Sequence, residues 1–266
     1  MLRRLIHRAG TRDAERAFVA EGLRVVEAAL ASGAPVQSIF VTATYRGDAA
    51  IEALVAAGLA AGARVFDLAA GVMEKVADTV TPQPICAIVE SGDVPLGDMA
   101  AGRPGGACDR LVVVCVEVRD PGNFGAVMRS ASASGAAGIV ACDGCVDPYN
   151  PKAVRASAGS IFTLPLVKGG EPLAVLGVLR SAGYALWGTR VGGGVDYLQA
   201  ALDGDVALVL GNEANGLPQD LDGVLDGSLT IPMAAGNESL NVAMSATVLC
   251  FEAARQRRDG PPALGG

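Results

Sequence analysis

The sequence predicts an α/β protein of two domains, the second of which contains a mainly parallel sheet. Short, almost wholly apolar runs alternate along the chain with segments whose apolar residues recur at helical spacing. A stretch rich in proline and glycine and without such spacing, residues 93–109, divides this alternation into two parts. The 266 residues are enough for two modest domains. We therefore expect domains at 1–92 and 110–266, joined by a linker.

The composition indicates a globular protein and argues against a membrane protein or a non-specific nucleic-acid-coating protein. Hydrophobic residues make up 51% of the chain and charged residues 18%, which is typical of a globular protein. The net charge of −7 argues against a protein that coats nucleic acid non-specifically, because that function needs clustered lysines and arginines. No apolar run approaches the ~20 residues of a membrane helix, and the first residues lack the pattern of a secretory signal. We expect a cytoplasmic protein without a membrane partner.

The first domain is predicted to be a small α/β domain. Its elements alternate in chain order: a helix over 17–31, a strand over 37–43, a helix over 49–62, a strand over 64–68, a helix over 70–80 and a strand over 85–90. The first of these helices ends at Gly33 and Pro35, residues that commonly follow a helix.

The first sixteen residues form a small basic island with five arginines and two carboxylates: Arg3, Arg4, Arg8, Arg12, Arg16, Asp13 and Glu15. A nucleic-acid contact and a solvated helix face both remain open for this segment. His7, the single histidine of the chain, lies here and is interpreted as a surface residue. Any general base must then be a group other than an ordinary imidazole.

Six cysteines fall mostly inside apolar runs, where a thiol behaves as a small hydrophobic group. Only Cys142 and Cys145 have the spacing of metal ligands. A single such pair, without a second pair or a nearby histidine, favours a turn at the end of a strand over a metal or redox site.

The second domain opens with a predicted βαβ unit. An apolar run over 111–118 leads through a turn into a helix-compatible segment over 124–138, and a second apolar run covers 139–142. In such a unit the two strands are parallel, and the loop after the first strand lies at the carboxyl edge of the sheet, where ligands usually bind.

Three residues of this loop and helix attract attention. Asn123 is predicted to cap the helix, Gly125 allows close approach of the backbone, and Arg129 lies one turn beyond Gly125 on the same face. Farther along, Asn150 is predicted to cap a helix that has Pro151 at its first position. Lys152 and Arg155 share a face of that helix, and we interpret them as clamps for phosphate groups beside Arg129, rather than as a solvated face.

The remaining elements are a strand over 163–167, a helix over 172–183, strands over 184–189, 206–210 and 228–233, and a terminal helix over 242–258. Three loops follow strands and are expected to converge at one end of the sheet. The first runs from Asp120 to Gly125 and precedes Arg129; the second covers 211–217; the third contains Ile231-Pro232-Met233 and Glu238-Ser239-Leu240-Asn241. Any one loop alone is explained by turn and capping chemistry.

Taken together, the three loops resemble the motifs of the SpoU (TrmH-like) family of RNA ribose 2′-O-methyltransferases, of the SPOUT superfamily. These motifs are N-x-G-x-x-x-R, a strand ending in G-[NS]-E-x-x-G-L, and I-P-M followed by E-S-L-N-V. The resemblance covers residues 111–256. The first domain resembles the ribosomal-protein-L30e-like substrate-binding domain that often precedes this catalytic domain.

The resemblance implies a trefoil knot in the last part of the chain, a homodimer, and S-adenosylmethionine as the cofactor. It implies that the cofactor is surrounded by six residues: Thr189, Leu210, Gly211, Ile231, Met233 and Leu240. It also implies that Arg129 favours the alkoxide that develops on the ribose. Asn123 would orient Arg129 or the ribose, and Glu213 would position Arg129 or the substrate. Ser239 and Asn241 would complete the polar wall.

The L30e-like domain favours large-subunit rRNA over tRNA as the substrate, with Lys152 and Arg155 as RNA-binding residues. Two other classes remain as alternatives. A catalytically silent RNA-binding homologue is disfavoured because the motif residues are intact. A nucleotide-dependent oxidoreductase is disfavoured because no strand ends in the dinucleotide-binding glycine pattern. Gly192-Gly193-Gly194 follows a strand, but a lone glycine triplet is interpreted as a turn.

Overall fold

The computed structural model describes residues 1–77, 81–101, 110–212, 215–234 and 239–259. In this part of the chain the α-helices are α1 (Leu2–His7), α2 (Ala9–Glu15), α3 (Leu23–Ala31), α4 (Ala49–Ala60), α5 (Val72–Val76), α6 (Leu96–Ala101), α7 (Pro121–Ala133), α8 (Pro151–Ala156), α9 (Pro172–Ser181) and α10 (Val242–Asp259). The strands are β1 (Ala17–Glu21), β2 (Val36–Thr42), β3 (Arg64–Leu68), β4 (Ile85–Glu90), β5 (Leu111–Cys115), β6 (Gly138–Ala141), β7 (Leu166–Lys168), β8 (Ala185–Thr189), β9 (Val195–Asp196), β10 (Val206–Leu210) and β11 (Gly227–Thr230). They form two compact units.

The first unit consists of Met1–Gly92 together with Asp147–Thr163. Its sheet has the strand order β1-β4-β2-β3, in which β4 is antiparallel to both of its neighbours and β2 is parallel to β3. Helix α1 covers part of this sheet, because Leu5 and Ile6 are buried in one cluster with Val19, Met73 and Ile88. The small N-terminal α/β domain expected from the sequence is therefore confirmed.

The helix predicted over 17–31 is wrong in its first part. Residues Ala17–Glu21 form strand β1, which is buried along its whole length and pairs antiparallel with β4. Gly22, with a backbone φ of 100°, then separates the strand from helix α3. A strand that is covered on both faces is apolar at almost every position, so its residues also satisfy helical spacing. When such a strand directly precedes a helix, the two elements read as one helix in the sequence.

The segment Asp147–Thr163 packs along β1 within the first unit, although the predicted boundaries assigned it to the second domain. Arg12, only 4% exposed, donates from Nε to Asp147 Oδ2 at 2.6 Å. The Phe18 and Tyr149 rings lie 4.7 Å apart between centroids. A buried ion pair and a ring contact therefore hold this segment over the edge strand β1, which would otherwise present unpaired backbone groups.

The second unit consists of Asp93–Val146 and Leu164–Gly266, of which the residues given above are described. Its seven-stranded sheet has the order β7-β6-β5-β10-β8-β11-β9, and each neighbouring pair among the described strands is parallel. Strands β5 and β10 lie at its centre and are buried throughout. This confirms the α/β class and the mainly parallel sheet, whereas the trefoil knot stays a prediction.

The first part of the predicted linker over 93–109 packs against the second unit. Val94 donates its backbone N–H to Leu166, and Met99 of α6 is buried in the core beside Val140 and Val167. Residues 102–109 lie outside the described residues. Among the helices that the structure describes, none is long and apolar enough to cross a membrane.

Candidate functional site

The candidate site lies at the carboxyl ends of four neighbouring strands of the second unit. β5, β10, β8 and β11 are adjacent and parallel, so the loops that follow them emerge at one edge of the sheet. The three loops with motif residues follow β5, β10 and β11, as predicted from the sequence. Open parallel sheets bind ligands at this edge.

Helix α7 begins earlier than predicted, and Asn123 is not its cap. Asp120 occupies the N-cap position, and its carboxylate accepts a hydrogen bond of 2.8 Å from the backbone N–H of Asn123. Pro121 fills the first helical position, where a missing N–H costs nothing. The capping role expected of Asn123 is therefore wrong, and its side chain is available for other contacts.

Arg129 lies on the outer face of α7. The opposite face of the helix buries Phe124 and Val127 in the core, which turns the Arg129 side chain toward solvent. Arg129 makes no ion pair or hydrogen bond with any residue in the described part of the chain. A guanidinium without a carboxylate partner is suited to bind an anion.

A direct hydrogen bond brings two of the predicted catalytic residues together. The side-chain amide of Asn241 donates to Asn123 Oδ1 at 2.9 Å, and Asn241 Oδ1 accepts from the backbone N–H of Ala243 at 2.8 Å. One turn or more farther along the two helices, the hydroxyl oxygens of Ser130 and Thr247 lie 2.7 Å apart. Asn241 therefore fixes the start of α10 against α7.

A cavity of about 410 Å³ opens beside this junction. Five of the six residues predicted to bind the cofactor line it, together with Ser239: Thr189, Gly211, Ile231, Met233 and Leu240. Leu210 is fully buried in β10 and does not line the cavity; its carbonyl oxygen accepts from the N–H of Val116 at 2.8 Å. The structure thus gathers side chains that are up to 51 residues apart, from Thr189 to Leu240, around one space.

The cavity wall formed by the loop after β10 depends on glycine. A Cβ atom at position 211 would collide with the backbone of Gly216 and Leu217. This approach is close because Asn212 and Gly216 exchange two backbone hydrogen bonds, of 3.0 and 2.9 Å. Gly216 adopts a φ of 68°, in the left-handed region that favours glycine.

Several lining residues were not predicted from the sequence. Arg190, Val191 and Gly192 follow β8, and Asn212 and Asn215 belong to the second motif loop. The signal that could have found the first three is their position directly after an apolar strand of the parallel sheet. Arg190 forms an ion pair with Asp222 at the cavity, and Thr189 Oγ1 donates to the carbonyl of Val209 at 3.3 Å.

The other predicted site residues lie elsewhere or are not described. Glu213 falls outside the described residues. Lys152 and Arg155 belong to α8 in the first unit, and Asn150 caps this helix through the N–H of Lys152, as expected. Arg155 donates to Glu21 at 2.8 Å, and the Glu21 side chain is only 5% exposed. An RNA-binding role for Lys152 and Arg155 stays a prediction.

Cys142 and Cys145 follow the end of β6 and are free thiols. The pKa of the Cys142 thiol is raised to about 12, mainly by burial and to a smaller extent by the nearby Cys145. The thiol therefore stays protonated at neutral pH. The Cys145 thiol donates to the carbonyl of Cys115 at 3.2 Å. The described residues contain no cluster of three or more cysteine, histidine or carboxylate groups that could hold a metal ion.

Comparison with protein families gives two matches. A model of the SpoU rRNA Methylase family matches residues 110–251, which include all the strands around the cavity. A model of the MRM3-like substrate binding domain matches residues 1–87. The first match begins directly after the predicted linker over 93–109, and the second ends before it.

Curated relatives extend over most of the chain. It is 30% identical over 246 residues to the 23S rRNA (guanosine(2553)-2′-O)-methyltransferase RlmP of Bacillus subtilis, and the match covers 92% of each protein. It is 38% identical over 157 residues to the 23S rRNA (uridine(2479)-2′-O)-methyltransferase of Streptomyces viridochromogenes, across 57% of this chain and 55% of that protein.

Solved structures share the whole fold. The SpoU methyltransferase AviRb of Streptomyces viridochromogenes, solved in complex with AdoMet, superposes with a TM-score of 0.84 at 29% identity, covering 97% of this chain and 98% of that one. An AdoMet-bound rRNA methyltransferase of Sinorhizobium meliloti superposes with a TM-score of 0.82 at 31% identity, covering 96% and 93%.

Proposed function

The chain belongs to the SpoU rRNA Methylase family, and on this premise we propose that it methylates a ribose 2′-hydroxyl of large-subunit rRNA with S-adenosylmethionine as methyl donor. The observation that carries the proposal is the hydrogen bond between Asn241 and Asn123. Asn241 follows Leu240 of the cavity wall, and Asn123 lies on the helix of Arg129. The bond thus joins a cofactor-sized cavity to a cation that has no ion-pair partner among the described residues, and methyl transfer to an RNA hydroxyl requires both parts.

The cavity fits S-adenosylmethionine in size and chemistry. Its volume of about 410 Å³ lies in the usual range for small-molecule sites. Ile231, Met233 and Leu240 supply apolar contact for an adenine ring, and Gly211 lets the backbone of Gly216 and Leu217 close the adjoining wall. When bound, S-adenosylmethionine supplies a methyl group activated by a positively charged sulfur. Thr189 lies at the edge of the same site, whereas Leu210 is buried in β10 directly before Gly211.

Arg129 lowers the energy of the negative charge that develops on the ribose oxygen. A ribose hydroxyl is a poor nucleophile until its proton leaves, and a guanidinium placed beside the oxygen and the adjacent phosphate favours the alkoxide. Asn123, held by Asn241 at 2.9 Å, orients Arg129 or the ribose. Preorganised polar groups of this kind need no rearrangement during the reaction.

Two further motif residues complete the polar side of the site. Ser239 lines the cavity next to Leu240 and contributes a hydroxyl to the wall that faces the substrate. Glu213, in the loop after β10, positions Arg129 or the substrate. Its assignment rests on the match of residues 210–217 to the second motif of the family.

RNA binding outside the catalytic loops is assigned to α8. Lys152 is exposed, and the Arg155 side chain is 26% exposed beside its ion pair with Glu21. A guanidinium has five N–H donors, so Arg155 retains donors for a phosphate while it holds Glu21. The ion pair fixes the direction of the side chain before RNA binds.

A homodimer is supported by the outer face of α10. Met244 is 61% exposed and Phe251 is 48% exposed, and their spacing of seven positions places both on one side of the helix. Large apolar side chains in such a row are typical of a surface that another protein covers. A second copy of the chain on α10 would lie beside α7, which packs against α10 and carries Arg129.

The proposal is tested by methyl transfer to RNA from cells that lack the gene. Purified protein and radiolabelled S-adenosylmethionine are incubated with separated 23S rRNA and tRNA fractions, and the modified 2′-hydroxyl is mapped in the labelled fraction. We expect one labelled position in 23S rRNA. Label in tRNA alone would show that the substrate is tRNA and not 23S rRNA. A protein that binds RNA without labelling any fraction would be a catalytically silent homologue. An rRNA substrate also supports a cytoplasmic location.

A further inference from the structure

A strip of arginines covers the outer side of α1. Arg3, Arg4 and Arg8 are exposed, whereas Leu5 and Ile6 on the inner side of the same short segment are buried in the core of the first unit. The sequence Leu2–His7 contains no carboxylate. In a chain with a net charge of −7, this strip is a local concentration of positive charge.

Carboxylates neutralise some of the other exposed arginines among the described residues. Ion pairs of this kind are formed by Arg46, Arg119, Arg180 and Arg190. Within the described residues, Arg3, Arg4 and Arg8 form no ion pair, and the single side-chain contact of this group runs from Arg4 to the Met1 sulfur at 4.0 Å. Three neighbouring cations without internal counter-ions are suited to bind an external polyanion.

Arg12 fixes the orientation of this strip. It belongs to the same basic island, but its guanidinium is buried and donates from Nη1 to the carbonyl oxygens of Leu5 at 2.7 Å and Ile6 at 3.2 Å. The same guanidinium pairs with Asp147 at 2.6 Å. The last turn of α1 is therefore anchored through its carbonyl groups, and its charged side is held outward without further ordering.

We propose that the outer side of α1 binds backbone phosphates of the RNA substrate through Arg3, Arg4 and Arg8. The inference rests on the proposed function, because that function supplies RNA as the polyanion. Arginine binds phosphate with several N–H donors at once, and phosphate contacts position a nucleic acid without reading its sequence. The strip therefore sets affinity for the RNA and leaves the chemistry at Arg129 unchanged.

The experiment compares the wild type with the triple variant Arg3→Gln/Arg4→Gln/Arg8→Gln, using a 23S rRNA transcript as the probe. Affinity is measured at salt concentrations from about 50 to 200 mM, where each lost phosphate contact reduces the slope of log K against log salt by roughly 0.7 to 0.9. We expect the slope to become shallower by about 2 and the Kd to rise at least ~10-fold at low salt. KM for RNA rises, while kcat and S-adenosylmethionine affinity stay unchanged.

Two matched variants separate charge from folding. Arg3→Lys/Arg4→Lys/Arg8→Lys keeps the charges and should retain most of the slope. Arg24→Gln removes an exposed arginine from α3 of the same unit and should change nothing. If the slope and the affinity are unchanged in the Gln variant, the α1 assignment is wrong. The proposed function still stands in that case, provided that the wild type methylates the RNA. If the wild type binds RNA without methylating it, and the Gln variant still shows the shallower slope, the α1 assignment stands and the proposed function fails. Loss of binding to phosphatidylglycerol vesicles, with RNA affinity unchanged, also overturns the proposal.

Discussion

The side-chain amide of Asn212 donates a hydrogen bond of 2.9 Å to the backbone carbonyl of Glu117. This bond joins the loop after β10, which lines the cavity, to the segment that leads from β5 into α7. Glu117 has a φ of 55°, in the left-handed region that a non-glycine residue seldom adopts. Asn212 therefore helps hold a strained backbone position six residues before Asn123.

Replacing Asn212 is expected to reduce catalysis more than cofactor binding. Asn212→Ala leaves the Glu117 carbonyl without this donor, a loss of about 1–3 kcal/mol, which corresponds to roughly a 5- to 150-fold fall in kcat/KM if the whole loss is felt in the transition state. Asn212→Asp is expected to be worse, because a carboxylate oxygen repels the carbonyl that the amide attracted. Steady-state methyl transfer to rRNA and titration calorimetry with S-adenosylmethionine measure the two effects.

Gln219→Ala is the control for this prediction. Gln219 follows the same loop, is exposed and does not line the cavity. Its kcat/KM should stay within a few-fold of the wild type. Wild-type kcat/KM in Asn212→Ala would show that the bond to Glu117 does not matter for catalysis.

Arg129→Ala is expected to abolish methyl transfer and leave S-adenosylmethionine binding intact. Loss of a preorganised group that stabilises developing negative charge costs about 10²–10³-fold in kcat. Arg129 does not line the cavity, so the affinity for the cofactor has no reason to fall. The control is Arg180→Ala on α9, an exposed arginine paired with Asp226. Wild-type turnover of the correct RNA by Arg129→Ala would remove Arg129 from the catalytic machinery.

Three strands have the bounds that the sequence predicts: Val206–Leu210, Arg64–Leu68 and Ile85–Glu90. Burial is not what they share, because Val206–Leu210 is buried throughout whereas Arg64–Leu68 has no buried residue. β1 was missed because its partners are distant in the chain: Arg155, 134 residues away, pairs with Glu21, and Tyr149 packs on Phe18. No local pattern reports that a loop from the middle of the chain will cover this edge.

Prediction of the site shows a similar division. Residues within a motif, such as Gly211 and Leu240, line the cavity as their resemblance to the family implied. The cap at Asp120 was also visible in the sequence, because an aspartate before Pro121 is a better start signal than Asn123. By contrast, the hydrogen bond from Asn212 to Glu117 depends on the register of β5 beside β10, which the order of elements does not give.

Stability of the second unit is expected to depend on pH through Asp205. Hydrogen bonds from the Arg110 side chain, of 2.6 and 3.2 Å, hold the pKa of the Asp205 carboxyl below its ordinary value of 3.8. A lowered folded-state pKa adds stability above the unfolded-state pKa, and this stability is lost as the pH falls through the folded-state pKa. Asp205→Asn should therefore destabilise the protein at pH 7 by ~1–3 kcal/mol, and by progressively less as the pH falls below the ordinary value of 3.8 toward the lowered folded-state pKa.

Urea unfolding of both proteins between pH 3 and pH 8 measures this difference. Asp203→Asn is the control, because Asp203 has no hydrogen bond or ion pair to the described residues, and its effect should stay within ~0.5 kcal/mol. A destabilisation by Asp205→Asn that stays constant down to pH 3 would contradict an electrostatic origin.

Gly211→Ala is expected to damage both the cavity and the fold around it. The added Cβ would meet the backbone of Gly216 and Leu217, which cannot rotate away as a flexible side chain can, so the Asn212–Gly216 loop must shift. Overpacking of this kind costs ~1–3 kcal/mol of stability, and the shifted wall should weaken S-adenosylmethionine binding at least 10-fold. Gly177→Ala in α9 is the control, because a Cβ there meets nothing within 4 Å and should stabilise the helix by ~0.5–1 kcal/mol. If calorimetry shows wild-type cofactor affinity for Gly211→Ala, the loop after β10 does not form the cofactor wall, and the adenine site must be sought between β8 and β11.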